Sequence, residues 1–340
     1  MKTKLSIIKL KPAFKDYLWG GTILKEKYQK QCDLDIVAES WELSARKDGP
    51  SIVVSGPEAG VTFGEYLEKL GKEKWGWKCQ TMAQFPILVK FIDAKQPLSI
   101  QVHPDDAYAQ AVEHEYGKNE MWYIMECAEE AGIYCGFRKD TTREEVEARV
   151  KDNTIEEILN WIPVRKGDAF YIQAGTAHAI GAGTLICEIQ QSSNSTYRLY
   201  DYGRREKAGN LRELHLKKAL DVLDYKKYDG LCMDGYEAAD RKKCGEPYAD
   251  GCEVISEAYR RRKLICCPYF ESVLYDVKNE AEIALSEDTF LSVVCIEGNG
   301  AIKVGGEVVY FQKGDSMFVP AMDGNLRMCG VCQVIATGIS

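Results

Sequence analysis

Long apolar runs are missing from this sequence. No stretch approaches the roughly 20 consecutive apolar residues of a membrane-spanning helix, so no span and no membrane partner are expected. Surplus positive charge is missing too. With 52 Asp and Glu against 44 Lys and Arg, the net charge is −8. That argues against nucleic acid and anionic lipid as main partners, while leaving room for a local basic pocket that takes a phosphate. The first twelve residues carry lysines but no unbroken apolar core, because Lys9 and Lys11 interrupt it. They read as a first strand and not as a signal peptide, and a cytoplasmic location is the expectation. Zinc-ribbon spacing is also lacking, since Cys329 and Cys332 form a CxxC with no second pair. The 13 cysteines are scattered through strand-like runs, as suits reduced, buried thiols.

What is present is a globular chain, 45% hydrophobic and 28% charged, long enough for two domains. Short strands are predicted over 5–10, 37–44 and 51–55. A helix over 62–70 opens on Thr62, with Glu65 at capping-box spacing and Gly71 beyond the end. Trp19 and Trp41 read as packing residues. An apolar strand over 85–93 turns into the Gln101–His103 strand. A helix is expected over 105–116, with His114 on its solvated face. Residues 141–161 read as a helical insertion, and 211–223 as a helix in which His215 is structural. The Gly- and Lys-rich passage 225–256 is the predicted linker between a domain over 1–224 and one over 257–340. From Tyr269 to the end the latter reads as nearly all strand, with predicted turns at Glu-Gly-Asn-Gly (297–300), Val-Gly-Gly-Glu (304–307) and Gln-Lys-Gly-Asp (312–315).

Residues 97–120 are the chemical centre. Ile100 and Val102 alternate with Gln101 and His103, so a period of two sets the amide and the imidazole on one face. Glu120 opens the next strand-like run, and His178 follows within Gln-Ala-Gly-Thr-Ala-His-Ala-Ile-Gly. These four supply nitrogen and oxygen donors without thiolate. Such a set suits zinc in an open catalytic site, with manganese, cobalt or iron as competitors.

The chain also repeats a phrase: Val-Arg-Lys-Gly167-Asp-Ala-Phe-Tyr-Ile matches Phe-Gln-Lys-Gly314-Asp-Ser-Met-Phe-Val. This pattern resembles the second half of the cupin motif, in which a histidine completes a metal site. The first copy has His178 and the second has none, so a metal-free C-terminal unit is expected.

Longer motifs identify a family. Trp-Gly-Gly at 19–21, Ala-Glu-Ser-Trp-Glu-Leu-Ser at 38–44, Asp-Ala-Lys-Gln-Pro-Leu-Ser-Ile-Gln-Val-His-Pro-Asp-Asp at 93–106, Gly-Lys-Asn-Glu-Met-Trp-Tyr at 117–123 and Thr-Tyr-Arg-Leu-Tyr-Asp-Tyr-Gly at 196–203 resemble the class I mannose-6-phosphate isomerases (phosphomannose isomerases) in their short bacterial form. The resemblance implies a mainly β fold of two cupin-type β-barrels with helical insertions in the N-terminal half. It implies one Zn2+ on Gln101, His103, Glu120 and His178, and Arg198 as the catalytic arginine. The implied reaction interconverts mannose 6-phosphate and fructose 6-phosphate through an enediol(ate), so the partner is a small sugar phosphate. Lys118 and Glu188 are candidates for the proton carrier, and Lys95 and Lys118 for phosphate binding. Gln173 departs from the proline such enzymes often carry before the turn to His178. The short form lacks the domain that covers the site in longer relatives, and the 141–161 insertion is a candidate cover. Rival readings are a metal-dependent cupin oxygenase or decarboxylase and a non-enzymatic sugar-binding bicupin.

Overall fold

The computed structural model describes residues 6–206, 209–228, 252–254 (backbone only) and 256–340. The chain is mainly β, with 43% of residues in strands and 15% in helices. Most of the predicted linker 225–256 lies outside the described residues.

Among the described residues, three sheets stack in the order five strands, six strands, ten strands. The strand Glu120–Cys127 shows why. Its first six residues are all buried, so it is covered on both faces. Met121, Tyr123 and Met125 point one way, into a core shared with Phe290, Val294, Phe318 and Ile335 of the C-terminal sheet. Trp122 and Ile124 point the other way, meeting Ile133, Cys135, Ile162 and Ile180 of the five-stranded sheet. Period-two alternation in an all-apolar run thus feeds two cores at once.

The six-stranded sheet runs Ala169–Ile172, Glu120–Cys127, Thr184–Gln191, Ile87–Ala94, Glu39–Leu43, Ala13–Lys15. The five-stranded sheet runs Tyr197–Tyr200, Ile100–Val102, His178–Ile180, Gly132–Phe137, Leu159–Pro163. The space between these two sheets is apolar at one end and polar at the other, and the polar end holds the site.

The repeated phrase folds the same way twice. Gly167 and Gly314 both take the left-handed conformation, at φ 94° and 91°. Asp168 accepts the Arg165 N–H at 2.8 Å, and Asp315 accepts the Gln312 N–H at 2.9 Å. Gly167 N–H donates to Ile124 C=O and Gly314 N–H to Cys295 C=O, both at 2.8 Å.

Several elements differ from expectation. The 62–70 helix forms with its full capping box, but the 105–116 helix stops at Val112, and His114 sits beyond it at φ 57°. The 141–161 segment is helical only over Arg143–Lys151 and a 3-10 turn at Ile155–Ile158; Leu159–Pro163 is a strand, because Leu159 and Ile162 are needed in the sheet. Its Val146, Val150 and Ile155 pack with Ile100, Val102 and Ala179, on the sheet face opposite Gln101. The insertion therefore backs the five-stranded sheet and does not cover the site.

The predicted 211–223 helix spans only Leu216–Val222. In the C-terminal half, Glu-Gly-Asn-Gly is no turn. Leu291–Val304 is one continuous strand that absorbs the glycines at a bulge beside Glu297. Strands Tyr259–Cys266 and Glu280–Leu285 were not foreseen. The sequence-drawn boundary also crosses a sheet, since Ile8–Lys11 pairs with Ser316–Val319 and Ile52–Val53 pairs with Ile8–Lys11.

Phe318 stands where these elements meet, fully buried and edge-on to Phe63 at 5.1 Å between ring centroids. Truncation of such a ring costs about 3–5 kcal/mol. Phe318→Ala is expected to lower the unfolding free energy by that amount, read from the shift of the denaturant midpoint followed by tryptophan fluorescence.

Candidate metal centre

Antiparallel register builds the site. His178 and Arg198 both lie directly opposite Gln101, on its two neighbouring strands, so one rung carries the guanidinium, the amide and the imidazole on one face. From the facing sheet, Glu120 projects into the same space. One ligand atom from each of His103, Glu120 and His178 lies within 4.8 Å of the others, and all three residues are buried. Glu120 Oε2 is 3.4 Å from His103 Nε2, and Oε1 is 3.5 Å from His178 Nε2. The Gln101 amide is 3.4 Å from His178 Nε2.

Two backbone carbonyls set the tautomers. His103 Nδ1–H donates to Ser195 C=O at 3.0 Å, and His178 Nδ1–H donates to Thr176 C=O at 2.8 Å. Each Nε2 is left with its lone pair facing Glu120, the form in which imidazole binds a metal. Burial, and for His103 also the neighbouring Lys118 ammonium, holds both imidazoles below their ordinary 6.5, His103 at about 3.

Burial alone would raise the Glu120 carboxyl. The Lys118 and His103 side chains against it win, and hold it well below 4.5. Glu120 Oε1 is buried without a hydrogen-bond partner. An unsatisfied carboxylate oxygen beside two oriented imidazoles is costly in apolar surroundings unless it meets a cation. These residues fit a divalent metal.

Lys118 shares the inward face with Glu120, two residues on. Its ammonium contacts Glu120 Oε2 and lies 2.9 Å from His103 Nε2. Glu188 lies one rung deeper, its Oε1 3.2 Å from Lys90 Nζ and its Oε2 accepting Trp122 Nε1–H at 3.1 Å. Arg198 is half-buried. Nη1–H donates to Glu213 C=O at 2.6 Å, while Nε is buried without a partner. Burial, then Arg212, lowers its pKa from the usual value, but a guanidinium stays cationic. His215 is structural, its Nδ1 accepting the Arg198 backbone N–H at 3.1 Å.

Lys95 is exposed, just past the end of the strand Ile87–Ala94. Gln173 does not open the turn to His178, whose Thr176 N–H still donates to Gln173 C=O at 3.1 Å. Cys329 and Cys332 make no metal cluster among the described residues.

The sequence reading missed Lys90 and its grouping with Glu39 and Trp41, the latter read only as a packing residue. Lys90 is buried, 3.7 Å from Glu39 Oε2, with its ammonium 5.1 Å from the Trp41 ring centroid. Trp41 Nε1–H donates to Glu39 at 2.7 Å, so this tryptophan does more than pack. Desolvation opposes the Lys90 charge, but Glu39, Glu188 and Glu120 override it and raise the pKa. A single lysine inside Ile-Leu-Val-Lys-Phe-Ile was the available signal.

Comparison with known proteins places these residues in context. The family model described as phosphomannose isomerase type I, catalytic domain, matches residues 7–139, and that of the mannose-6-phosphate isomerase cupin domain matches 261–339. The mannose-6-phosphate isomerase ManA of Bacillus subtilis is 36% identical over 329 residues, 96% of this chain and 97% of that protein. A mannose-6-phosphate isomerase of Streptococcus mutans is 31% identical over 325 residues, 94% of each. The crystal structure of a mannose 6-phosphate isomerase from Bacillus subtilis superimposes with a TM-score of 0.85 at 33% identity, over 98% of this chain and 99% of that one.

The buried imidazoles carry a pH signature. The folded state keeps them neutral while the unfolded chain takes up protons below about 6.5, so the unfolded state binds more protons and stability falls on acidification. Glu120, depressed in the folded state, adds a loss of the same sign below about 4.5. Chelator-treated protein is expected to lose denaturant stability steadily from pH 7 to 4.5, and His103→Gln to show a shallower loss. Parallel curves would contradict the assignment.

Proposed function

The chain belongs to the mannose-6-phosphate isomerase family, and from that premise we propose that it interconverts mannose 6-phosphate and fructose 6-phosphate on a cation held by Gln101, His103, Glu120 and His178. The observation that carries this reading is the convergence of two tautomer-fixed imidazoles and an unpartnered carboxylate oxygen at one end of the space between the sheets. Zinc is the ion we assign, from the nitrogen and oxygen donors and the absence of thiolate. When bound, it supplies Lewis-acid polarisation of the sugar's oxygens.

The reaction opens the sugar ring and moves a proton between C1 and C2 through an enediol(ate). Negative charge grows on oxygen as C–H breaks, and preorganised cationic donors lower that barrier by several kcal/mol. Arg198 shares its rung with Gln101 and His178, and its side chain gives that oxygen a fixed positive partner. Lys118, cationic and donor-only, gives a proton or hydrogen bond to a substrate oxygen. Glu188 presents a buried carboxylate oxygen without a hydrogen-bond partner, 3.2 Å from Lys90 Nζ, and is our candidate to accept the C–H proton. The Trp122 indole and Lys90 hold that carboxylate in place.

The duplicated Gly-Asp turn supports two cupin-type barrels. The second is metal-free in this reading, because no histidine follows its Gly314-Asp315 phrase.

A coupled assay with mannose 6-phosphate tests the reading. Chelated protein is expected to lose activity and regain it with Zn2+; full activity without metal would overturn the role of the cation. Arg198→Ala is expected to keep fold and metal while kcat falls by about 10²-fold or more. A near-wild-type rate would remove Arg198 from the mechanism.

A further inference from the structure

Alternation along the strand entry sends Lys118 and Glu120 into the site and Asn119 the opposite way. Asn119 is almost fully buried, at 3% exposure. Its Oδ1 accepts the Ala174 N–H at 2.9 Å and the Tyr171 O–H at 3.2 Å. Its Nδ2–H donates to Gln191 Oε1 at 2.8 Å, and its own backbone N–H donates to the same oxygen at 2.9 Å. Gln191 N–H returns a bond to Asn119 C=O at 3.1 Å.

The network reaches further. Gln191 Nε2–H donates to Asp106 Oδ1 at 3.0 Å, and that oxygen also takes the Gly117 N–H at 2.8 Å. Asp106 begins the helix that follows His103. Ala174 lies in the turn that delivers His178, and its neighbour Gly175 donates N–H to His103 C=O at 2.9 Å.

Two linked side-chain amides, Asn119 and the Gln191 it contacts, therefore tie together the three backbone segments that carry His103, Glu120 and His178. We propose that Asn119 is the positioning residue of the metal centre, setting the spacing of the three donors without touching the ion. This rests on the metal-binding reading above. Removing the amide leaves the half-buried Ala174 N–H without that acceptor and Gln191 Oε1 with only the Asn119 backbone N–H, and such groups relax by shifting backbone. The backbone that shifts is the turn to His178. Loss of an outer partner of a metal site commonly weakens binding 10- to 100-fold.

The test is Zn2+ affinity of the metal-stripped full chain, by competition with a chromophoric chelator, alongside denaturant midpoints. Asn119→Ala is expected to bind Zn2+ at least tenfold more weakly than wild type. Gln191→Ala, which leaves the Ala174 bond intact, should weaken binding by a smaller factor and keeps the test informative if Asn119→Ala does not fold. The stability control is Val334→Ala, buried in the C-terminal core; it should lower the midpoint without changing Zn2+ affinity. Wild-type affinity in both network variants, or an equal loss in the Val334 control, would overturn the proposal while leaving the metal site standing. A wild-type protein whose Zn2+ affinity is unchanged by His178→Ala would overturn the metal reading and this inference with it.

Discussion

Two hydrogen bonds of under 3.1 Å, from the Nδ1–H groups of His103 and His178 to backbone carbonyls, decide what the buried end of this molecule can be. They turn both Nε2 lone pairs toward Glu120 and fix the imidazoles as neutral ligands. A carboxylate, two imidazoles and an ammonium could not stay buried against an apolar core unless each had a partner. The carbonyls that orient the rings lie in the 173–177 turn and at Ser195, beside the strand that carries Arg198. Ring orientation, donor spacing and arginine placement are therefore one structural problem.

The three-sheet stack solves it with apolar packing. The six-stranded sheet is buried on both faces, so its strands have little freedom to slide, and a one-residue slip would turn Glu120 and Glu188 out of the site. The C-terminal sheet carries no donor cluster among the described residues. It supplies Phe290, Phe318 and Ile335 behind Met121, Tyr123 and Met125. The strand Ile8–Lys11 joins that sheet, with Ile52–Val53 beyond it, so the two halves share a core and also a hydrogen-bonded ladder.

Much of the site was legible in the sequence because its chemistry is written in alternation. Gln101 and His103 flank Val102, Glu120 opens an apolar run, and His178 follows a recognisable turn. The repeated Gly-Asp phrase was legible for a similar reason, since its turn needs a left-handed glycine and a side-chain acceptor in both copies. The pairing of Lys90 with Glu39 and Trp41 was not read, because it is set by cross-strand register, which no local pattern reveals. The 141–161 segment carried helix-forming charges throughout, but the need to bury Leu159 and Ile162 drew its last turn into the sheet. At Glu-Gly-Asn-Gly the glycines form a bulge within a long strand, a local pattern indistinguishable from a turn until the partner strand is known.

The central claim is that His103, Glu120, His178 and Gln101 converge on one cation. Crystals of the protein soaked in Zn2+ and measured at the zinc absorption edge test it most directly. The account predicts one strong anomalous peak within bonding distance of His103 Nε2, His178 Nε2 and a Glu120 carboxylate oxygen, with the Gln101 amide beside it. No peak there, or a dominant peak elsewhere such as at Cys329 and Cys332, would contradict it.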